Sequence, residues 1–455
     1  MGADAVVGAV PVARRRRAPA RPSGPELTAL AFWAPAAVIL LVWVIYPSFA
    51  TVYRSFFDRT GQNFVGLANF QRIFTDPATL VVLRNNAIWV LIFPAVVTAL
   101  GVVFAVLLER VRYKLVLRTL LFMPMAISLL ASSVIWRIVY QTDPSVGLVN
   151  ASLAGVANAV APPGQYPGAR PSQTDLVQPT SDGGWRLTSE LSAGSVAKIG
   201  LIGFPPADIP SGAANAVEPA QQTGAITGVV WRDFTVGGGT PGVVDPGEKG
   251  MPGVKVDLVG PNGAAAQTTT GPDGAFTFSG VGSGTYHVQA DAASFRAGFA
   301  GVPWLGSTTI FGHQVSLITP AIIVAAIWVW AGFATVTMSA GLATLSRDSL
   351  EAARIDGASE WQVFRNVTVP LLAPVITVTF LTLTINALKI FDLVYAITPG
   401  NEVPDSSVLA VEMYLRSFTG GLGDRGMGSS LAVLLFVLVV PIMALNIRRF
   451  RGEQQ

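Results

Sequence analysis

Six long apolar runs constrain this chain more than any other feature. They fall at residues 27–53, 87–108, 115–140, 315–345, 371–397 and 427–447. About 20 mostly apolar residues are needed to carry a helix across about 30 Å of hydrocarbon, and each run meets that length. Buried helices of a large soluble protein are the competing reading, which the number and length of the runs disfavour. Composition agrees, with 51% hydrophobic residues and only 13% charged against the roughly one quarter charged in soluble domains. With no cysteine, the chain has neither a disulfide framework nor a thiolate metal site.

Basic residues orient the runs, because short loops rich in Lys and Arg stay on the cytoplasmic side. Arg14, Arg15, Arg16 and Arg17 precede the first run, and Arg110, Arg112, Lys114 and Arg118 surround the second connection. Arg347, Arg354 and Arg365 lie between the fourth and fifth runs, while Arg448, Arg449 and Arg451 follow the last. Both termini are therefore expected inside, with residues 1–26 a basic cytoplasmic tail and 451–455 a second. A cleaved signal peptide would have a shorter apolar region.

Residues 141–307 then lie outside. Up to residue 224 they are rich in Ala, Gly, Pro and Ser, and "VAPPGQYPGARPSQ" predicts an extended linker that is only partly ordered. From Ala225 to residue 300 the pattern becomes two-residue alternation broken by glycine turns, as in "AITGVVWRDF", "GVKVDLVG", "GAFTFSGV" and "GTYHVQAD". Such alternation predicts an antiparallel β-sandwich. The fold class is thus an all-α polytopic membrane protein carrying an extracytoplasmic all-β insertion. Gly228, Trp231, Asp233, Asp245, Gly247, Glu248, Gly250, Gly253, Val254, Val256, Asp273, Gly274, Phe276, Phe278, Gly284 and Tyr286 make this stretch similar to the prealbumin-like B-type repeats of Gram-positive surface proteins. Acidic turns in that family bind calcium, but Asp233 here leads into "FTVGGG" without further acids. Ordinary polar turns, and no metal site, are expected.

The loop at 346–370 is charged and helical in pattern. Asp348 with Glu351, and Ser359 with Gln362, each have capping-box spacing. Gly357 sits between them, where a helix end favours a left-handed residue. Two short helices joined by a turn are predicted. Trp361, Phe364 and Val367 form an apolar stripe, Ala352 and Ala353 admit a close neighbour, and Pro370 restarts the chain into the fifth span. Glu351, Ala352, Ala353, Asp356, Gly357 and Ala358, then Val367, Val369 and Pro370, resemble the Glu-Ala-Ala signature of binding-protein-dependent ABC importer permeases, with valine at two aliphatic positions. "FVGLANF", "FMPMAISLLASSVIW", "MSAGLATLSRDSLEAARIDGA" and "FDLVYAIT" extend the resemblance to the sugar-importing, maltose-permease-like branch. Pro399, Gly400 and Asn401 stand where that branch often has Gly-Gly-Pro.

The resemblance implies a bacterial cell-membrane permease for a sugar or related polyol. It implies as partners two copies of a separate ATPase, which holds the ATP and magnesium, a second homologous permease and an extracytoplasmic sugar-binding protein. Membrane lipid is a further expected partner, and nucleic acid is not. No Gly-x-x-x-x-Gly-Lys-Ser/Thr phosphate loop occurs in the sequence, so the chain is read as non-enzymatic. The loop at 346–370 has a competing reading as an amphipathic element on lipid headgroups. The whole chain has one as a membrane-anchored surface scaffold whose sandwich is the working part.

Polar groups inside spans mark pathways. Asn386, Lys389 and Asp392 are the candidates in the fifth run, with a structural Lys389–Asp392 pair as the alternative. Trp328 and Trp330 are candidates for stacking on a sugar ring, or else face lipid. Prolines 35, 47, 94, 124 and 320 are expected either to bend helices or simply to be tolerated in them, and Gly332 and Gly341 to permit close packing.

Overall fold

The computed structural model describes residues 24–109, 111–261, 263–419 and 423–452. Arg14, Arg15, Arg16, Arg17 and Arg110, with most of both terminal tails, lie outside the described residues, as do the side chains of Arg347, Arg448, Arg449 and Arg451.

Helices α1 (Gly24–Leu40) and α2 (Tyr46–Arg54) continue into one another through a π-turn at Leu41–Ile45. Pro47 accounts for the turn. It has no N–H for the carbonyl four residues back and its ring crowds that carbonyl, so the preceding ladder widens and Tyr46 N–H bonds Leu41 O. Helices α3 (Ala68–Thr75), α4 (Pro77–Glu109), α5 (Lys114–Phe122), α6 (Leu129–Val139) and α7 (Leu148–Val160) follow. Beyond the β-region come α8 (Ile318–Ala343), α9 (Arg347–Ile355), α10 (Glu360–Val363), α11 (Val369–Leu388), α12 (Asp392–Ile397), α13 (Val403–Ser406), α14 (Leu409–Phe418) and α15 (Arg425–Gly452).

Five stretches among the described residues are long and apolar enough to span a bilayer: Ala31–Arg54, Pro77–Glu109, Ile318–Ala343, Glu360–Leu388 and Arg425–Ala444. The predicted run 115–140 is not one helix, because a 3-10 turn at Met123–Ala126 holding Pro124 is followed by a break before α6. It counts as a sixth span only if both pieces are taken together. Pro94 lies inside the unbroken α4, and Pro320 sits in the first turn of α8, where its missing N–H is harmless.

The chain forms two compact units. In the first, residues 1–126, 326–395 and 403–455, glycines set the helix spacing. A Cβ on Gly332 would stand 2.0 Å from the Leu121 carbonyl oxygen, and one on Gly101 would stand 2.6 Å from Ala334 Cβ. Gly341 is looser, its nearest neighbours being Leu372 and Val375 side chains at 3.0 Å. Buried asparagines tie the loops. Asn69 Nδ2 donates to the carbonyls of Ser55 (2.9 Å) and Phe57 (2.7 Å), which pins "FVGLANF" to the end of the first span. Asn85 Nδ2 donates to Asp405 O (2.8 Å) and Ser407 O (3.0 Å), and Asn86 Oδ1 accepts from Leu409 N (2.7 Å).

The second unit, residues 127–325 with 396–402, holds two sheets. The strands are β1 (Arg170–Pro171), β2 (Val177–Pro179), β3 (Trp185–Leu187), β4 (Val196–Ile202), β5 (Ala225–Arg232), β6 (Lys255–Gly260), β7 (Gly263–Thr269), β8 (Ala275–Ser279) and β9 (His287–Ala290), followed by a hairpin of β10 (Ser307–Ile310) and β11 (His313–Ser316). Their orders are β1-β4-β5-β8 and β2-β3-β9-β6-β7. Residues 170–202 therefore belong to the same two sheets as the later strands, where an extended linker is predicted. Their apolar side chains explain this: Tyr166, Val177, Leu187, Ala197, Ile199 and Leu201 are buried in one core with Ile226, Val230, Met251, Phe276 and Phe278. The β4–β5 pair is parallel, a departure from the predicted all-antiparallel pairing.

Carboxylates in the sandwich turns bond their own loops. Asp233 accepts from Gly242 N (2.6 Å) and from the Ser172 hydroxyl, Asp245 accepts from Thr240 N (2.7 Å), and Glu248 accepts from Asp245 N (3.0 Å) and Thr235 Oγ1 (3.2 Å). Burial pushes the Glu248 carboxyl above its ordinary range, assisted by the nearby Asp233 charge. At the base of the unit Asn150 joins both ends of the insertion, donating to Gln141 O (2.8 Å) and Val302 O (3.0 Å) while accepting from Val302 N (2.9 Å).

Candidate functional site

The loop between the fourth and fifth spans is a capped bracket. Helix α9 ends with Ala358 N–H bonded to Ala353 O and Gly357 N–H bonded to Arg354 O, both at 3.1 Å. This paired closure requires a left-handed residue, and Gly357 supplies φ of +84°. A Cβ there would have nothing within 4 Å, so the constraint on glycine is conformational. Helix α10 opens with the predicted box: Ser359 N–H donates to Gln362 Oε1 (2.7 Å), and Gln362 N–H to Ser359 Oγ (3.4 Å). Arg354 Nε lies 3.0 Å from Glu360 Oε1 across the turn. Both side chains are exposed, so the pair contributes at most about 1 kcal/mol.

Two expectations change. The Asp348–Glu351 box does not form, because α9 begins two residues earlier than that box requires: Ser346 is its N-cap and Asp348 lies inside the first turn. Pro370 does not restart the chain after a separate short helix. As at Pro47, the ladder widens instead, through a π-turn at Phe364–Thr368 with Val369 N–H bonded to Phe364 O. Helix α10 and α11 thus form one span, Glu360–Leu388.

The apolar stripe also divides. Phe364 packs with Val369, Val375 and Ile376 against Val102, Ala105 and Met338, and Val363, which the stripe omits, is 3% exposed. Trp361 stays 66% exposed, with its ring 5.4 Å from that of Phe364, and Ile355 is 85% exposed. Glu351, Ala352, Asp356 and Pro370 are exposed beside them, while Ala353 and Ala358 are half-buried. The bracket therefore presents Ile355 and Trp361 outward from a turn held by backbone bonds, with a continuous helical segment behind it.

The pathway candidates do not converge. Helix α11 ends at Leu388, so Lys389 is its exposed C-cap and Asp392 begins α12; neither lies within a span. Lys389 and Asp392 form no ion pair among the described residues. Asn386 is inside α11, half-buried, and donates to Thr382 O at 3.0 Å. Trp330 is half-buried and meets Phe333 edge-on at 5.8 Å, whereas Trp328 is 36% exposed. Two residues apart on a helix, they project about 200° from each other. Hydropathy carries no signal for Asn69, a lone amide among apolar and aromatic residues, or for the adjacent pair Asn85 and Asn86 at the start of an apolar run.

Residues 296–449 match the family described as binding-protein-dependent transport system inner membrane component, and residues 224–300 match the SdrD B-like domain. An osmoprotective compounds uptake permease protein of Synechocystis is 27% identical over 424 residues, covering 92% of this chain and 98% of its own. An alpha-glucoside transport system permease protein of Rhizobium meliloti is 27% identical over 93% of this chain and 82% of its own. A trehalose/maltose transport system permease protein of Thermococcus litoralis is 41% identical over 138 residues, 29% of this chain and 45% of its own. In fold the chain is similar to a bacterial ABC transporter involved in the import of alginate, with a TM-score of 0.51 at 14% identity over 93% of this chain and 96% of that one.

Proposed function

We propose that this chain, which belongs to the binding-protein-dependent transport system inner membrane components and carries an SdrD B-like domain as an insertion, is the permease subunit of an ATP-driven importer for a sugar or related polyol. It is a multi-pass inner-membrane protein and a transport subunit, not an enzyme. An extracytoplasmic binding protein delivers the cargo, a reading supported by the alginate transporter solved with its periplasmic protein, which shares this fold at a TM-score of 0.53. Both termini lie in the cytoplasm, a second homologous permease completes the pathway, and two copies of a separate ATPase supply the work.

The observation that carries the coupling assignment is the outward pair Ile355 and Trp361 on a closed turn. Large apolar side chains exposed together on a charged surface suit a protein groove. Glu351, Ala352, Ala353, Asp356, Gly357 and Ala358 shape the turn, and Phe364 and Pro370 join it to the span. The 29-residue rod Glu360–Leu388 is about 43 Å long at 1.5 Å per residue. Movement of the ATPase surface at Trp361 is thereby delivered to the far end of the fifth span, where Asn386, Lys389 and Asp392 stand. Asn386 and the tryptophans Trp328 and Trp330 are assigned to the cargo route as separate contacts along it.

The test replaces the apolar pair with serine, Ile355→Ser and Trp361→Ser together. The doubly substituted permease is expected to reach the membrane at normal abundance but lose the ATPase on affinity purification, and undiminished co-purification would refute the assignment. The insertion is assigned to contact with the binding protein or the cell envelope. Because β1–β4 share its sheets, the informative deletion removes residues 165–295 rather than 225–300. Gly164 N–H and Arg296 O are already bonded at 2.9 Å, so a short linker closes the gap, and unchanged binding-protein association would end the docking assignment.

A further inference from the structure

A cavity of about 550 Å³ lies between the first span, α14 and α15, lined by Thr51, Arg54, Ser417, Phe418, Arg425 and Ser429 among others. A second, of about 350 Å³, is lined by Ser48, Phe49, Val52, Val433 and Phe436. Thr51 and Ala432 line both, so the two adjoin at these side chains. One end of the combined space is cationic and hydroxylic and the other is apolar.

The charges at the first end are unspent. Among the described residues the Arg54 side chain makes a single hydrogen bond, from Nη2 to Thr60 O at 3.3 Å, and its buried Nε has no partner. Arg425 has no side-chain hydrogen bond or ion pair among the described residues. The neighbouring acids are engaged elsewhere: Asp424 pairs with Arg72 at 3.0 Å, and Asp58 accepts from the Asn63 and Thr60 side chains. Two guanidiniums with no carboxylate between them repel each other unless an anion intervenes, and a phosphate suits their forked donors. Arg54 is the last residue of the first span and Arg425 the first of α15, so both stand at the depth where headgroups lie. In the apolar limb the hydroxyls are already satisfied within the helix, Ser48 Oγ on Val44 O and Thr51 Oγ1 on Pro47 O, which leaves Phe49, Val52 and Phe436 to meet a hydrocarbon chain.

We propose that this cavity binds one anionic phospholipid, its phosphate between Arg54 and Arg425 and an acyl chain along Phe49, Val433 and Phe436. A bare anion would use only the cationic limb, and a partner helix would have no use for two unpaired arginines. The experiment is native mass spectrometry of the full-length chain, delipidated in detergent and titrated with phosphatidylglycerol or phosphatidylcholine. A single saturable site preferring phosphatidylglycerol at least tenfold is expected. R425Q should lower that preference about fivefold, from about 1 kcal/mol per basic residue, and R425K should restore most of it. Since the Arg425 side chain makes no hydrogen bond or ion pair among the described residues, R425Q tests the site even if R54Q fails to fold. A432W, which fills the junction of the two limbs, should abolish retention of either lipid. Equal binding of both lipids, an unaltered preference in R425Q, or displacement of the lipid by millimolar inorganic phosphate would overturn the proposal. So would a cross-link from residue 432 or 436 to a second polypeptide in the assembled importer, which would make the groove a protein contact.

Discussion

Replacing Gly357 separates backbone conformation from bulk at the coupling turn. The residue holds φ of +84°, a region that costs an ordinary L-residue about 1–2 kcal/mol. No atom lies within 4 Å of an added Cβ, so collision adds nothing. The whole penalty falls on the closed form of the turn, shifting its equilibrium by roughly 5- to 30-fold. Asparagine tolerates the left-handed region better than alanine although it is larger, and a β-branched residue tolerates it least. The expected order of ATPase co-purification and of ATP-dependent uptake into membrane vesicles, at equal permease abundance, is Gly, then Gly357→Asn, then Gly357→Ala, then Gly357→Val. If Gly357→Ala matches the parent, or if activity falls with side-chain volume so that Asn ranks below Ala, the conformational argument is wrong.

Asn69→Ala strands the Phe57 carbonyl and leaves the Ser55 carbonyl with the Ser430 hydroxyl at 3.2 Å, and is expected to cost about 1–3 kcal/mol, read as a lower thermal unfolding midpoint in detergent with the bracket unaffected. Gly332→Leu places a side chain against the Leu121 backbone, where even a Cβ would stand at 2.0 Å, and is expected to abolish accumulation of folded protein. Glu248 bears on pH. Burial holds its folded carboxyl above the ordinary glutamate range, so the folded state holds the proton more tightly, and the resulting stabilisation is full below the ordinary range and lost as pH rises through the folded value. Glu248→Gln should therefore gain stability relative to the parent at neutral pH and lose that advantage in acid; a pH-independent difference in unfolding midpoint would contradict this.

What the sequence made legible was local. Five of the apolar runs became spans because twenty consecutive apolar side chains leave a helix little choice, and the Ser359–Gln362 cap and the Gly357 turn follow from contacts three to five residues apart. The misses were non-local or masked by composition. Strand β4 is held by a parallel partner beginning some twenty residues later, β5, and the glycine and proline around it suppress the alternation that marks a strand. The fifth run continues through "LKIFDLVYAI" without loss of apolarity, so hydropathy cannot show that α11 stops at Leu388 and leaves Lys389 and Asp392 outside the helix. At Pro370 the sequence is equally compatible with a new helix start and with a widened ladder in a continuing helix, and the π-turn at Phe364–Thr368 shows the second. Phe364 and Trp361 share a helical stripe in sequence, but only the fold decides that one packs inward on Met338 and the other stays in the open.

The chain contains no cysteine, so a single introduced thiol reports one contact. Ile355→Cys or Trp361→Cys, combined with single cysteines along the groove of the ATPase subunit and treated with a short bifunctional reagent in native membranes, measures directly whether the bracket is seated on the motor. A nucleotide-sensitive cross-link from these positions, absent from Cys placed on β10 or β11, is the predicted result. A thiol at 355 or 361 that reacts only with impermeant reagent from outside the cell, or never reaches the ATPase, would contradict it.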